Sequence, residues 1–377
     1  MFDRRSFLRQ GLGLLSGGAA GTLLGRVAAA SAPAEPSDVA GSLRPPAEIS
    51  PPQPPESIAD LICEAAEPDP GICDWWSHVL PATPLGPLSV LQRHSVLSVY
   101  GRSFGVAPVL GMLGAVNSFD ELEHSVEPWV RAMSEFAEAP VQVAPHLIYA
   151  LARSCRSADD SCMIFLDASG VDLVEEYIKP AADRGMAVIL DSQIGRLSPT
   201  YFIRRMINAG YLAYPNVHVA LDPEFVTRPD QDTPGKPTGM LSAQSINQVQ
   251  ALLAKYVRDE GLSHKKVLIV HQFVDDVTDS WSMVPGKRNI QIYPEVELVF
   301  DADGFGSPNA KVHKYNAITS PTAYPQIEWR GLKIFQHNAR APWASDTPVM
   351  TPRQIYGLDP TSNGWRMWAP PHLLVVA

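Results

Sequence analysis

Five short, β-branched apolar runs between Ala187 and Asn338 each stop on polar or charged residues: AVILDSQ, VHVALDPEF, KVLIVHQF, VELVFDADGFG and LKIFQHN. A continuous apolar run marks a strand buried on both faces, as in a parallel sheet, and stretches of helical spacing separate these five. Three further runs fit the same pattern: VLSVYG from Val96 to Gly101, VQVAPHLI from Val141 to Ile148, and HLLVVA at the end of the sequence. Between the first two of these lies FDELEHSVEPWVRAMSEFAE, whose apolar residues recur at helical spacing. Asp172 to Arg184 and YFIRRMINAG predict the next helices. Ser242, with Ser245 three residues on, caps a helix over INQVQALLAKYVRDEGL that stops at Gly261.

Eight strands with intervening helices over about 280 residues have the dimensions of an α/β fold of the (β/α)8 TIM-barrel type. No helix follows the eighth strand. The segment from Ile58 to Leu91, with Trp75 and Trp76, is expected to pack in its place. A doubly wound open sheet is the alternative, and no Gly-rich phosphate loop follows the first strand to support it.

The N-terminal region changes the picture. Asp3, Arg4, Arg5, Ser6, Phe7, Leu8 and Arg9 have the form of a twin-arginine export signal. Gly11 to Leu24 is apolar but glycine-interrupted, too weak for a membrane span of about 20 residues, and it leads to the small-residue run Ala28 to Ala32. Residues 1–32 are therefore expected to be a cleaved signal peptide, with no membrane insertion afterwards and a periplasmic, cell-wall or extracellular destination. Residues 33–56, rich in Pro, Ala, Ser and Glu, hold almost no large apolar residue and predict a disordered tether. Residues 57–377 then form the barrel domain.

Charge excludes some partners. The whole chain carries −10; residues 1–32 hold four arginines against one aspartate, so the remainder carries −13. Nucleic acid and anionic lipid need clustered Lys and Arg that this chain lacks, whereas neutral or cationic substrates fit. The four cysteines fall into two local pairs, Cys63 with Cys73 and Cys155 with Cys162, a spacing that suits two small disulfide loops in an exported protein.

In parallel α/β sheets and barrels the chemistry gathers at the carboxyl ends of the strands, where each of the five runs turns polar. Residues two apart share a strand face, so Asp222 goes with Glu224, Asp191 with Gln193, and Asp301 with Asp303. With His271, Gln272 and His337 they make the polar inventory of a carbohydrate site. Glycoside cleavage needs one carboxylic acid to protonate the leaving oxygen and one carboxylate as base or nucleophile. Glu224 is the candidate acid, its pKa expected to be raised by repulsion from Asp222 across the intervening Pro223. Asp303 is the favoured partner, with Asp301 deeper and orienting it, and Asp191 the further candidate. Tyr100, Trp281 and Trp343 are candidate platforms for stacking against sugar rings. His146, His218 and His372 are expected to pack or hydrogen-bond.

At these residues the chain resembles known families. Many TIM-barrel glycoside hydrolases place their acid/base Glu at the end of strand four, and the chitinase-like group has an Asp two positions before it, as Asp222 stands to Glu224. The chain departs from them in two places. Classical retaining barrels carry a nucleophilic Glu after strand seven, where Gln336, His337 and Asn338 stand here, and VHVALDPEF lacks the longer acidic series of chitinases. More broadly, YGRSFGVAPVLGMLG, LDSQ, LDPEF, VHQFVDD, DADGFGSPNAK and VMTPRQIYGL are similar to a group of secreted bacterial barrel proteins of unassigned function. That resemblance, over most of Val96 to Leu358, implies the fold and export but no substrate.

The expectation is an exported glycoside hydrolase acting on a cell-envelope or extracellular glycan, with no cofactor. Two other classes compete. One is a divalent-metal-dependent barrel hydrolase or isomerase using His271 and His337 with Asp191, Glu224 and Asp303, although the H-x-H pair common after strand one of such enzymes is missing. The other is a non-catalytic glycan-binding envelope protein. No G-x-S-x-G elbow supports a serine hydrolase.

Overall fold

The computed structural model describes residues 86–106, 111–155, 157–231, 233–275, 282–336 and 344–377. The predicted signal peptide, the tether, Trp75, Trp76, Cys63 and Cys73 lie outside the described residues. Nine strands form one sheet: β1 Ser95–Gly101, β2 Val141–Ala152, β3 Met163–Phe165, β4 Val188–Gly195, β5 Val217–Val226, β6 Lys266–Gln272, β7 Val296–Ala302, β8 Trp329–Ile334 and β9 Leu373–Val376. All except β3 are parallel, and β9 pairs with β1 to close the ring. The result is an eight-stranded (β/α)8 barrel, with β3 an antiparallel strip on the end of β2. The eight barrel strands correspond to the eight sequence runs.

The helices begin where the capping chemistry places them. In α1, Phe119–Ser134, the Ser118 hydroxyl accepts from the Glu121 N–H, and Asp120 and Glu121 lie in the positive first turn. A π-turn at Val174–Ile178 leads into α2, Lys179–Asp183. Next come α3, Pro199–Asn208, and α4, Ala243–Asp259, the latter capped by Ser242 and followed by Gly261 at positive φ. Ser307 caps α5, Pro308–Ile318, and Thr351 makes a capping box on the short α6, Pro352–Ile355. Between β6 and β7 the described residues contain only a 3₁₀ turn at Lys287–Asn289, so the helical ring is incomplete. Among the described residues no helix is long and apolar enough to cross a membrane.

Strand alternation splits the core in two. Outward residues such as Leu97, Val99, Leu190, Leu221, Leu268 and Leu298 pack under the helices. Inward residues such as Val96, Ala144, Ile189, Ala220, Ile269, Val299 and Val375 fill the barrel. Of the segment expected in place of the last helix, residues 58–85 lie outside the described residues, and residues 86–91 lie at the amino end of the barrel. They close the barrel floor, with the Leu88 N–H bonded to the Ser263 carbonyl, and Val90 and Leu91 inside the inner cluster. Glu297 anchors this plug by accepting from the Ser89 hydroxyl and from the Val90 and Leu91 N–H groups. Apolar residues at the amino ends of the strands would otherwise face water. The Cys155–Cys162 disulfide ties the loop that follows β2.

Candidate functional site

Above the apolar layers the same inward positions become polar. Parallel register brings them together: Tyr100 on β1 is opposite His146 on β2, His271 on β6 is opposite Asp301 on β7, and Asp301 is opposite Gly331 on β8. Asp191 on β4, Asp222 and Glu224 on β5, Asp303 after β7 and Lys333 on β8 complete the group. Gly331 is required by the close approach of β7, because a Cβ there would lie 2.8 Å from Asp301 Oδ1 and 3.0 Å from Asp301 Cα.

Hydrogen bonds fix the cluster from below and from the sides. The Tyr100 hydroxyl donates to Asp191 Oδ2 at 3.0 Å. His271 Nδ1 lies 2.8 Å from Asp301 Oδ2 and 3.6 Å from Asp303 Oδ2, while its Nε2 is 3.9 Å from Asp191 Oδ2. His146 stacks on His271 with ring centroids 5.3 Å apart, and its Nδ1 meets the Ser98 hydroxyl at 3.3 Å. Lys333 Nζ donates to Asp303 Oδ2 at 3.1 Å and sits 3.7 Å above the centre of the Tyr100 ring.

The acids are driven apart in strength. Burial, then the charge of Asp303, raises the Glu224 pKa to about 7, against a partial counter-effect of Lys333 and His271. Burial also acts on Asp303, yet the charges of Lys333 and His271 and the Gly304 N–H outweigh it and hold its pKa near 2. Burial pushes Asp222 well up, and the charge of Asp191 adds to it. Burial raises Asp191 as well, opposed by His271, Lys333 and the Tyr100 hydrogen bond. For His271, burial and Lys333 oppose the charged ring, but the bond to Asp301 and the charges of Asp191 and Asp301 prevail and bring its pKa to about 9.

Loops fix the rim. The Gly239 N–H donates to the Glu224 carbonyl at 2.8 Å, and a Cβ at Gly239 would lie 2.3 Å from the Val226 carbonyl oxygen and 2.5 Å from that of Pro223. Asp346 accepts from the Gly306 N–H at 2.8 Å and the Phe335 N–H at 2.9 Å, and lies 3.4 Å from the buried ammonium of Lys311, which donates to the Gly304 carbonyl. The Asp303–Gly306 turn is thereby tied to the end of β8.

Asp191, Asp222, Glu224, His271, Asp301 and Asp303 thus converge on the upper barrel. Asp301 lies deeper than Asp303 and orients His271 rather than Asp303. The charge that raises Glu224 is that of Asp303, while the repulsion between Glu224 and Asp222 falls on Asp222, whose Oδ1 accepts the Glu224 N–H at 3.2 Å. Gln193 is held down, its Oε1 accepting from the Ala152 N–H on β2. Gln272 belongs to the opposite face, since a neighbour of inward His271 must turn outward; it joins Lys287 Nζ at 2.7 Å and the Val274 carbonyl. Tyr100 is no stacking platform, for its ring is buried and one face is covered by the Lys333 ammonium. His337, Trp281 and Trp343 lie outside the described residues. His218 and His372 each meet a backbone N–H.

The sequence reading missed Lys333; it gave His146 a packing or hydrogen-bonding role, which the bond to Ser98 and the stacking on His271 fit, but did not place it in this cluster. Lysine in the apolar run LKIF, two residues after a glycine and on its strand face, is the signal for the first. For the second, only the pairing register that sets His146 beside Tyr100 reveals the placement. Comparison with protein-family models and with curated protein sequences finds no match. A barrel with a buried His/Asp cluster at the carboxyl ends of its strands is what the fold and site establish.

Proposed function

We propose that the protein is an exported glycoside hydrolase with Glu224 as proton donor and Asp303 as the ionised partner carboxylate. One observation carries the reading. Two carboxyl groups from different strands act on one another at one mouth, and their surroundings oppose: Asp303 is paired with Lys333 at 3.1 Å, while the Glu224 carboxyl has no hydrogen bond or ion pair among the described residues. An acid that keeps its proton near neutrality beside one that does not is the division of labour glycoside cleavage uses. In this reading Glu224 protonates the glycosidic oxygen as the bond to the anomeric carbon breaks, and Asp303 meets the positive charge that develops there, either directly or through a water.

The resemblance at Asp222 and Glu224 to the chitinase-like barrels points the same way, as does the acidic chain, which suits a neutral glycan. The Cys155–Cys162 disulfide suits an oxidising compartment and so supports export by the twin-arginine route. The test is hydrolysis of a panel of cell-wall and extracellular polysaccharides by the native protein and by Glu224→Gln. Removing a general acid lowers turnover by about 10²- to 10⁴-fold. Undiminished hydrolysis in a folded Glu224→Gln protein overturns the assignment.

A further inference from the structure

We infer that the base of this mouth is a divalent transition-metal site, ligated by His146 Nε2, His271 Nε2 and a carboxylate oxygen of Asp191. A ligand atom from each of the three lies within 4.8 Å of the others. Proximity alone would not carry the inference; the hydrogen bonding does. Each of the three side chains has one polar atom held by a neighbour and another, fully buried, with no partner. His146 Nδ1 is engaged by Ser98 and its Nε2 is unpartnered; His271 Nδ1 is engaged by Asp301 and its Nε2 is unpartnered; Asp191 Oδ2 is engaged by Tyr100 and its Oδ1 is unpartnered. The relative exposures of His146, Asp191 and His271 are 0%, 0% and 1%, so water from the mouth does not satisfy these atoms.

Buried polar atoms without partners are uncommon because each costs about 1–3 kcal/mol. The three do not satisfy one another, since none of them has a hydrogen-bond partner, and the approach of His271 Nε2 to Asp191 Oδ2, 3.9 Å, is an ion-pair contact beyond hydrogen-bond reach. A metal ion would satisfy all of them after a small contraction. The outer partners have the form that metal-binding histidines show, a carboxylate or hydroxyl on the far nitrogen that sets the ring's orientation and tautomer.

The overlapping group of His271, Asp301 and Asp303 is a poorer choice. It would take the His271 nitrogen already bonded to Asp301, and Asp303 is committed to Lys333. Two imidazoles and one carboxylate suit zinc, iron, cobalt or nickel better than magnesium or calcium, and leave coordination positions for water or vicinal hydroxyls. Coordination of a sugar's hydroxyls rests on the hydrolase reading; metal binding itself does not.

The experiment measures metal in the full-length protein purified without chelator, then titrates the chelator-dialysed protein with Co²⁺ and Zn²⁺, read by ligand-field absorption and thermal melting. The expected result is one equivalent of tightly bound transition metal, a rise in melting temperature, and visible bands from histidine-bound Co²⁺. His146→Gln and Asp191→Asn should each weaken Co²⁺ binding by at least about 100-fold, and Asp301→Asn by roughly 10- to 100-fold. Glu224→Gln should bind Co²⁺ like the native protein. No binding by the native protein, or binding indifferent to both His146→Gln and Asp191→Asn, overturns the site whether or not either variant folds. If Co²⁺ binds but glycan hydrolysis does not depend on Glu224, the hydrolase reading falls alone. If Glu224-dependent hydrolysis persists in protein that binds no metal, the metal site falls alone.

Discussion

Glu224 is a carboxyl group whose protonation, in the proposed hydrolase, would set both activity and stability, in ways that can be told apart. If its proton is the one transferred, the active fraction falls tenfold per pH unit above its pKa of about 7. The rate should therefore decline on the alkaline side from near pH 7, and a kcat/KM profile flat to pH 9 would exclude this acid. The stability sign follows from the same shift. Its folded pKa lies above its ordinary value of 4.5, so the native state holds the proton more tightly than the unfolded chain. Deprotonation between these values destabilises the fold as pH rises. Glu224→Gln should then gain stability relative to the native protein at pH 8 and not at pH 4, read as urea midpoints. Lys333 acts on the partner acid. Its ammonium lies 3.1 Å from Asp303, and Lys333→Met should raise the Asp303 pKa, lower turnover by about 100-fold or more, and bring an acid limb into the pH profile.

At the scale of elements, the site depends on how closely strands approach. Gly331 lets β7 and β8 pack with the Asp301 carboxylate against bare backbone, and a methyl group there would overlap Asp301. Gly331→Ala should cost about 1–3 kcal/mol in urea unfolding and lower activity in the folded fraction, because Asp301 carries the bond that aims His271. The sequence revealed elements wherever local chemistry is complete. The eight apolar runs, the Ser242 cap and the glycine after α4 are local signals, and they matched. Helix α5 had no such stripe, since Lys311 occupies a buried position where an apolar residue would be expected. Strand β3 spans three residues, too few to show alternation. Candidate site residues were legible by strand-end position and parity for Asp191, Asp222, Glu224, His271, Asp301 and Asp303. Gln272 shows the rule being broken, because two consecutive strand residues cannot both face inward. His146 and Lys333 depend on long-range register, which no local pattern carries.

Across the whole molecule the barrel divides into an ionisable upper interior and an apolar base sealed by residues 86–91. Polar groups in the upper layers weaken the inner core there, so the seal at the opposite end should contribute heavily to stability. Its fixed point is Glu297, which is 1% exposed and takes three donors from the plug. Glu297→Ala would leave the Ser89 hydroxyl and two backbone N–H groups buried without acceptors. Each such loss costs about 1–3 kcal/mol, so roughly 3–5 kcal/mol in total is expected once water partly compensates. Glu297→Gln keeps one acceptor oxygen and should cost about half as much. Both variants leave the mouth's own residues unchanged, so activity per folded molecule at low temperature should match the native protein while the melting temperature falls. A Glu297→Ala protein with native melting behaviour would mean that the plug merely rests on the barrel. One that melts normally but loses activity would mean that the floor and the mouth are mechanically coupled through the inner layers, rather than independent ends of one barrel.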